Sequence, residues 1–86
     1  MNIFAIKFLT RKPCHLCDAA RPLVRSEARR LGIDVVEVDV DDDDRLLALY
    51  GLRIPVVLGP GDQVLAEGVI EDRRALRRVL RRARGG

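Results

Sequence analysis

Residues 2–31 change hydrophobic period once, and that change limits what the chain can fold into. "NIFAIKFL" (2–9) alternates loosely and carries Ile3, Phe4, Ile6 and Phe8, the pattern of a strand. From Cys14 to Leu31 the period is helical. Cys17, Ala20, Val24, Ala28 and Leu31 recur at steps of three and four, and Gly32 follows as a stop. Pro22 lies inside this helix, where it removes a backbone donor, so a kink is expected there. "DVVEVDV" (34–40) then alternates again as a second strand. Strand, helix and strand joined by short connections imply a parallel pair with a right-handed crossover.

The rest of the chain implies a short helix, a hairpin and a closing helix. Asp41 to Asp44 lead into "DDDRLLALYG", where acids complement a helix N-terminus and Gly51 ends the run. "RIPVVLG" (53–59) is a strand with Pro55 near its start, "GPGD" (59–62) is a turn, and "QVLAEG" (63–68) is the returning strand. "IEDRRALRRVLRRARGG" closes the chain with Ala75, Leu76, Val79, Leu80 and Ala83 as its apolar stripe. The expected order is β-α-β-α-β-β-α in one domain, 1–86, with no internal repeat. Phe4, Phe8 and Tyr50 are the only aromatics, so the core must be aliphatic.

Composition excludes several classes. No apolar stretch approaches membrane-spanning length, and no charged segment leads into an apolar run with a small-residue cleavage site. A cytosolic protein that does not bind membranes is expected. In that compartment a CxxC pair is metal-binding or catalytic rather than a structural brace.

The chain's two cysteines are Cys14 and Cys17. A structural zinc site needs four ligands. This chain offers one CxxC hook and one histidine, His15, placed between the cysteines, so no metal is expected. A purely structural role accounts for Cys17 on the apolar stripe but not for Cys14 at the loop-to-helix junction. Redox chemistry accounts for both. A thiolate is the nucleophile of disulfide exchange, and a helix N-terminus favours it through unpaired N–H groups and partial positive charge. Cys14 lies there, and the spacing brings Cys17 one turn on, within reach of a mixed disulfide at Cys14. Arg11 and Lys12 add positive charge. For His15 two readings stay open: a group that favours the thiolate by charge or hydrogen bond, or a solvated side chain with no effect.

Pro55 also has two readings. It is a turn proline that starts a strand, or a cis-proline that packs beside the thiols and presents the Ile54 backbone to an extended substrate. Asp39, Asp41 and Asp43 alternate like a calcium loop, but Asp44 and Tyr50 stand where Gly and Glu are needed, so a solvated helix start is expected. The arginines from Arg73 to Arg84 fit a solvated helix face. With no aromatics for base stacking, nucleic acid is not expected as a partner.

Taken together, "KPCHLCDAA", "VDVDDDDRLLALYGLRIPVV" and "LAEGVIEDRRALRRVL" resemble a small bacterial glutaredoxin-like family of the thioredoxin superfold. The resemblance covers essentially the whole chain and rests on CHLCD combined with YG-x-RIPV. It implies a thioredoxin-like, glutaredoxin-type α/β fold with a four-stranded mixed sheet and three helices. It implies Cys14 as the attacking thiolate, Cys17 as the resolving thiol and Pro55 as the cis-proline beside them. By the same resemblance, Gly68 with Glu71 or Asp72 would hold glutathione, and Lys7 or Lys12 would meet its carboxylate. The chain departs from typical glutaredoxins at His15 and Leu16, where a proline and a tyrosine usually stand.

The expected activity is thiol–disulfide exchange of glutaredoxin type by a monomer with no bound cofactor. Glutathione or a thioredoxin-type reductase would supply electrons, and glutathione or disulfide-bearing proteins would be the substrates. Two alternatives remain: a glutathione-independent protein disulfide reductase, and a non-catalytic binding module that uses the Arg-rich helix.

Overall fold

The structure, a computed structural model, describes residues 4–85. Its elements are β1 (Ala5–Thr10), α1 (His15–Arg30), β2 (Asp34–Asp39), α2 (Asp44–Tyr50), β3 (Val56–Leu58), β4 (Val64–Glu67) and α3 (Arg73–Arg84), with one 3-10 turn at Val40–Asp42. The β-α-β-α-β-β-α order agrees with the sequence reading. The first strand begins at Ala5; Asn2 and Ile3, which were assigned to it, lie outside the described residues.

The strands form one sheet in the order β2-β1-β3-β4. β1 pairs parallel with β2, from Ala5↔Asp34 to Thr10↔Asp39. On its other side β1 pairs antiparallel with β3, from Lys7↔Leu58 to Leu9↔Val56. β3 and β4 close an antiparallel hairpin with a bulge between Val57 and Leu58. Toward its C-terminal end central β1 is buried on both faces, so Phe8 and Leu9 are both inaccessible although they point to opposite sides, while Lys7 stays exposed.

Two cores follow from that alternation. Ile6, Phe8 and Val57 meet Ala20, Val24 and Ala28 of α1 and Leu76 and Leu80 of α3. Leu9, Val40, Val56 and Leu58 meet Leu46, Leu47 and Tyr50 of α2. Thus α1 and α3 cover one face and α2 covers the other. At seven residues α2 is about 10 Å long. It shelters Val38 but leaves Val36, on the same face of edge strand β2, half exposed.

Caps set the helix limits. Asp43 accepts from the Leu46 amide at 3.0 Å and Asp72 accepts from the Ala75 amide at 3.0 Å. Such a cap contributes about 1 kcal/mol. The helix α1 runs unbroken through Pro22, which is exposed, so the carbonyl freed at Asp18 can be solvated.

A buried ion pair joins α1 to α3. The Glu27 side chain is fully buried and accepts from Arg73 Nη1 and Arg77 Nε, each at 2.6 Å. Hydrogen bonds from Arg77 and then Arg73 lower the Glu27 carboxyl from 4.5 to about 2. Arg21 is the main cause of an equal depression at Glu37. Because both values are depressed on folding, the stabilisation they give is complete above the unfolded value and is lost as pH falls from about 4.5 toward 2. Glu27→Gln is expected to be less stable at pH 7 and to show a shallower loss over that window, with the Glu37 share retained. Urea unfolding at pH 7, 4 and 3 checks this.

Candidate active site

All the loops around the cysteines leave one end of the sheet. β1 ends at Thr10, and residues 11–13 lead to Cys14, the N-cap of α1. The antiparallel register that pairs Leu9 with Val56 continues to Pro55 beside the end of β1. The register Val56↔Glu67 continues to Gly68, whose amide donates to the Pro55 carbonyl at 2.8 Å. Gly68 has φ +73, a conformation that glycine adopts without strain. Cys14, Pro55 and Gly68 therefore lie toward one end of the sheet, where α3 also begins.

Cys14 and Cys17 are joined by a disulfide, with their Cα atoms 5.2 Å apart. Their exposures differ: Cys14 is half-buried and Cys17 is fully buried. The difference follows from position. Cys17 lies on the apolar stripe of α1, whereas Cys14 has extended backbone angles at the N-cap. The Cys17 amide donates to Cys14 Sγ at 3.0 Å. An orphan donor of the helix N-terminus is thus aimed at the outer sulfur.

The Ile54–Pro55 bond is cis and the ring is buried. The Lys12–Pro13 bond is cis as well, which the sequence did not suggest. Ile54 is half-buried and packs into the α2-side core. Lys12 and His15 are exposed, and among the described residues no hydrogen bond joins His15 to either sulfur.

Three expectations are corrected. Lys7 does not reach this end; it lies toward the β3–β4 turn and pairs with Asp62 at 3.1 Å. Its place in β1 fixes that, because Lys7 is opposite Leu58 rather than Val56. Arg11 is not a free charge beside the thiols, because Asp41 holds its Nε at 3.0 Å. Asp72 and Gly68 are at the expected end, but the Asp72 carboxylate caps α3 and the Gly68 amide is taken by Pro55. Glu71 is exposed there.

Other groups at this end were missed. Arg53 makes two bonds to Glu67, at 3.0 and 2.7 Å, and lies 5.1 Å from the Tyr50 ring centroid. This clasp ties the loop before Pro55 to the end of β4. Glu37 accepts from Thr10, Arg21 and Arg25, which fixes the end of β1 against α1. Three apolar side chains also stand in solvent here: Leu16 between the cysteines, Leu52 before Pro55 and Val69 after Gly68.

Comparisons with known proteins agree with this arrangement. Residues 5–79 match the family model described as Glutaredoxin-like domain (DUF836). A structural-genomics target protein from X. campestris is 32% identical with a TM-score of 0.73, over 90% of this chain and 96% of that one. A thioredoxin from Halobacterium salinarum is 26% identical with a TM-score of 0.68, over 95% of this chain and 75% of that one. A protein from Nitrosomonas europaea, 21% identical over 88% of this chain and 89% of that one, shares the fold with a TM-score of 0.70. No curated protein matches the chain.

The exposure difference has a direct chemical consequence. After reduction, a small alkylating reagent is expected to modify Cys14 in the folded protein and Cys17 only after denaturation. Peptide mapping checks this; equal labelling of both thiols would contradict it.

Proposed function

Because the chain belongs to the glutaredoxin-like domain family, we propose that it is a thiol–disulfide oxidoreductase in which Cys14 attacks and Cys17 resolves. The observation that carries this reading is the half-buried sulfur of Cys14 at the N-cap of α1, facing a backbone amide, one turn before a buried cysteine. Helix N-termini lower thiol pKa values, and the thiolate is the attacking species.

The reaction begins with both cysteines reduced. The Cys14 thiolate attacks one sulfur of a substrate disulfide, a bond forms between them, and the other substrate sulfur leaves as a thiolate and takes a proton. Cys17, deprotonated, then attacks Cys14 Sγ. The substrate's second sulfur departs as a thiol, and the Cys14–Cys17 disulfide remains. The substrate has gained two electrons and two protons, and the protein has lost them. Two molecules of glutathione, or a thioredoxin-type reductase, would return the pair to the dithiol form. Pro55 packs at the end of β1 and presents the Ile54 backbone to an extended substrate. No bound metal or organic cofactor takes part.

A second reading concerns the substrate. Lys7 is remote, Asp72 is engaged, and Leu16, Leu52 and Val69 offer apolar contacts around the disulfide. These observations favour a protein disulfide over glutathione, whose recognition would rest on Lys12 and Glu71.

Cys17→Ser tests the mechanism. It is expected to trap a mixed disulfide between Cys14 and a disulfide-bearing protein such as insulin, releasable by dithiothreitol. Cys14→Ser is expected to lose both trapping and turnover. Equal trapping by the two variants would contradict the assignment of roles.

A further inference from the structure

Away from the redox end, the strongest charge on the molecule lies along α3. Its sequence, RRALRRVLRRAR, uses four residue types. Leu76 and Leu80 are buried against the sheet, and Val79 and Ala83 are half-buried. Arg73 and Arg77 turn to Glu27, and Arg84 donates to the Leu31 carbonyl. Arg74, Arg78, Arg81 and Arg82 are left. They are exposed, and among the described residues none of them forms an ion pair. Spaced by four, three and one, they share one helix face over about 12 Å. With Arg77 they line a cleft of about 430 Å³. The acidic run from Asp41 to Asp44 leads into α2, on the opposite face of the sheet, and does not neutralise them.

We propose that this arginine stripe is a docking surface for the phosphate backbone of duplex DNA, bound without regard to sequence. The argument is from the chemistry the surface offers. Apart from Ala75, every exposed residue of α3 is an arginine. A guanidinium presents a planar fork of donors suited to phosphate oxygens. Duplex DNA carries one negative charge per about 1.7 Å of axis, dense enough to meet all four groups at once. No side chain on the stripe carries the amide, hydroxyl or carboxylate groups that complete a base-reading code, so phosphate contacts dominate.

Other polyanions fit less well. A membrane-bound amphipathic helix needs a free apolar face, and that face of α3 is packed on the sheet. Arginine can anchor a protein interface, but such hot spots lie in a packed, desolvated centre, and no large exposed hydrophobic side chain stands along α3. The scarcity of aromatics spoke against nucleic acid in the sequence, but it bears on single strands, whose bases stack on rings. A duplex backbone needs only cations and donors.

The test is fluorescence anisotropy with a labelled 20-base-pair DNA duplex of mixed sequence and the intact protein. Four phosphate contacts predict a slope of about −3.6 in log K against log salt, and so a loss of about a hundredfold between 50 and 200 mM salt. The double variant Arg78→Gln, Arg82→Gln is expected to bind at least tenfold more weakly at 50 mM salt. Its slope should fall to about −1.8, with its thermal melt and disulfide turnover unchanged. Duplex binding that ignores the double variant would overturn the proposal. So would tighter binding to the single strand, or binding to phosphatidylserine vesicles without binding to the duplex.

Discussion

The molecule depends on a strand whose C-terminal half is buried on both faces. β1 is central in the sheet, and Ile6, Phe8 and Leu9 are buried to opposite sides. Its parallel pairing with β2 sends α1 over one face, and its antiparallel pairing with β3 brings Pro55 to its C-terminal end. The same strand end delivers Cys14 to the start of α1. One register therefore fixes both cores and brings Cys14 and Pro55 to the same end of the sheet. A one-residue slip of β1 would exchange Phe8 and Leu9 between layers and lose both.

Charge is sorted by the same layers. On the α1–α3 side Glu27 is enclosed by Arg73 and Arg77, and Glu37 by Arg21 and Arg25. Burial alone would raise their carboxyls; hydrogen bonds from Arg77 and Arg73 at Glu27, and from Arg21 at Glu37, outweigh it and hold both at about 2. Removing a partner would leave a buried carboxylate without compensation. At the redox end the charges are paired near the surface, Arg11 with Asp41 and Arg53 with Glu67. They tie loops together around a rim of exposed Leu16, Leu52 and Val69.

Most of the fold was legible because its signals are local. Alternation marked the strands, three-four spacing marked α1 and α3, and Gly32 and Gly51 marked stops. The cysteine pair was legible for the same reason, since its spacing and its place before a helix are sequence properties. What stayed hidden depends on register and tertiary contact. Lys7 was given to the site because its side chain is basic, yet the β1–β3 register places it toward the other end. Gly68 and Asp72 were placed at the right end, but nothing local told that their polar groups already had partners. Glu27 did carry a signal: an acid on the buried stripe of α1, with arginines at 73 and 77 four apart on a later helix. The Arg53–Glu67 clasp joins residues fourteen apart across a hairpin and had no comparable mark.

The central claim is that Cys14 and Cys17 exchange electrons rather than brace the fold. The most direct measurement is the equilibrium of the pair against graded dithiol–disulfide buffers, with the fraction of dithiol read by thiol-specific mass labelling. A sulfur at a helix N-cap, half open to solvent, predicts one two-electron transition at a midpoint above about −300 mV, in the range of catalytic pairs. A midpoint below that value, where structural disulfides lie, would contradict the account.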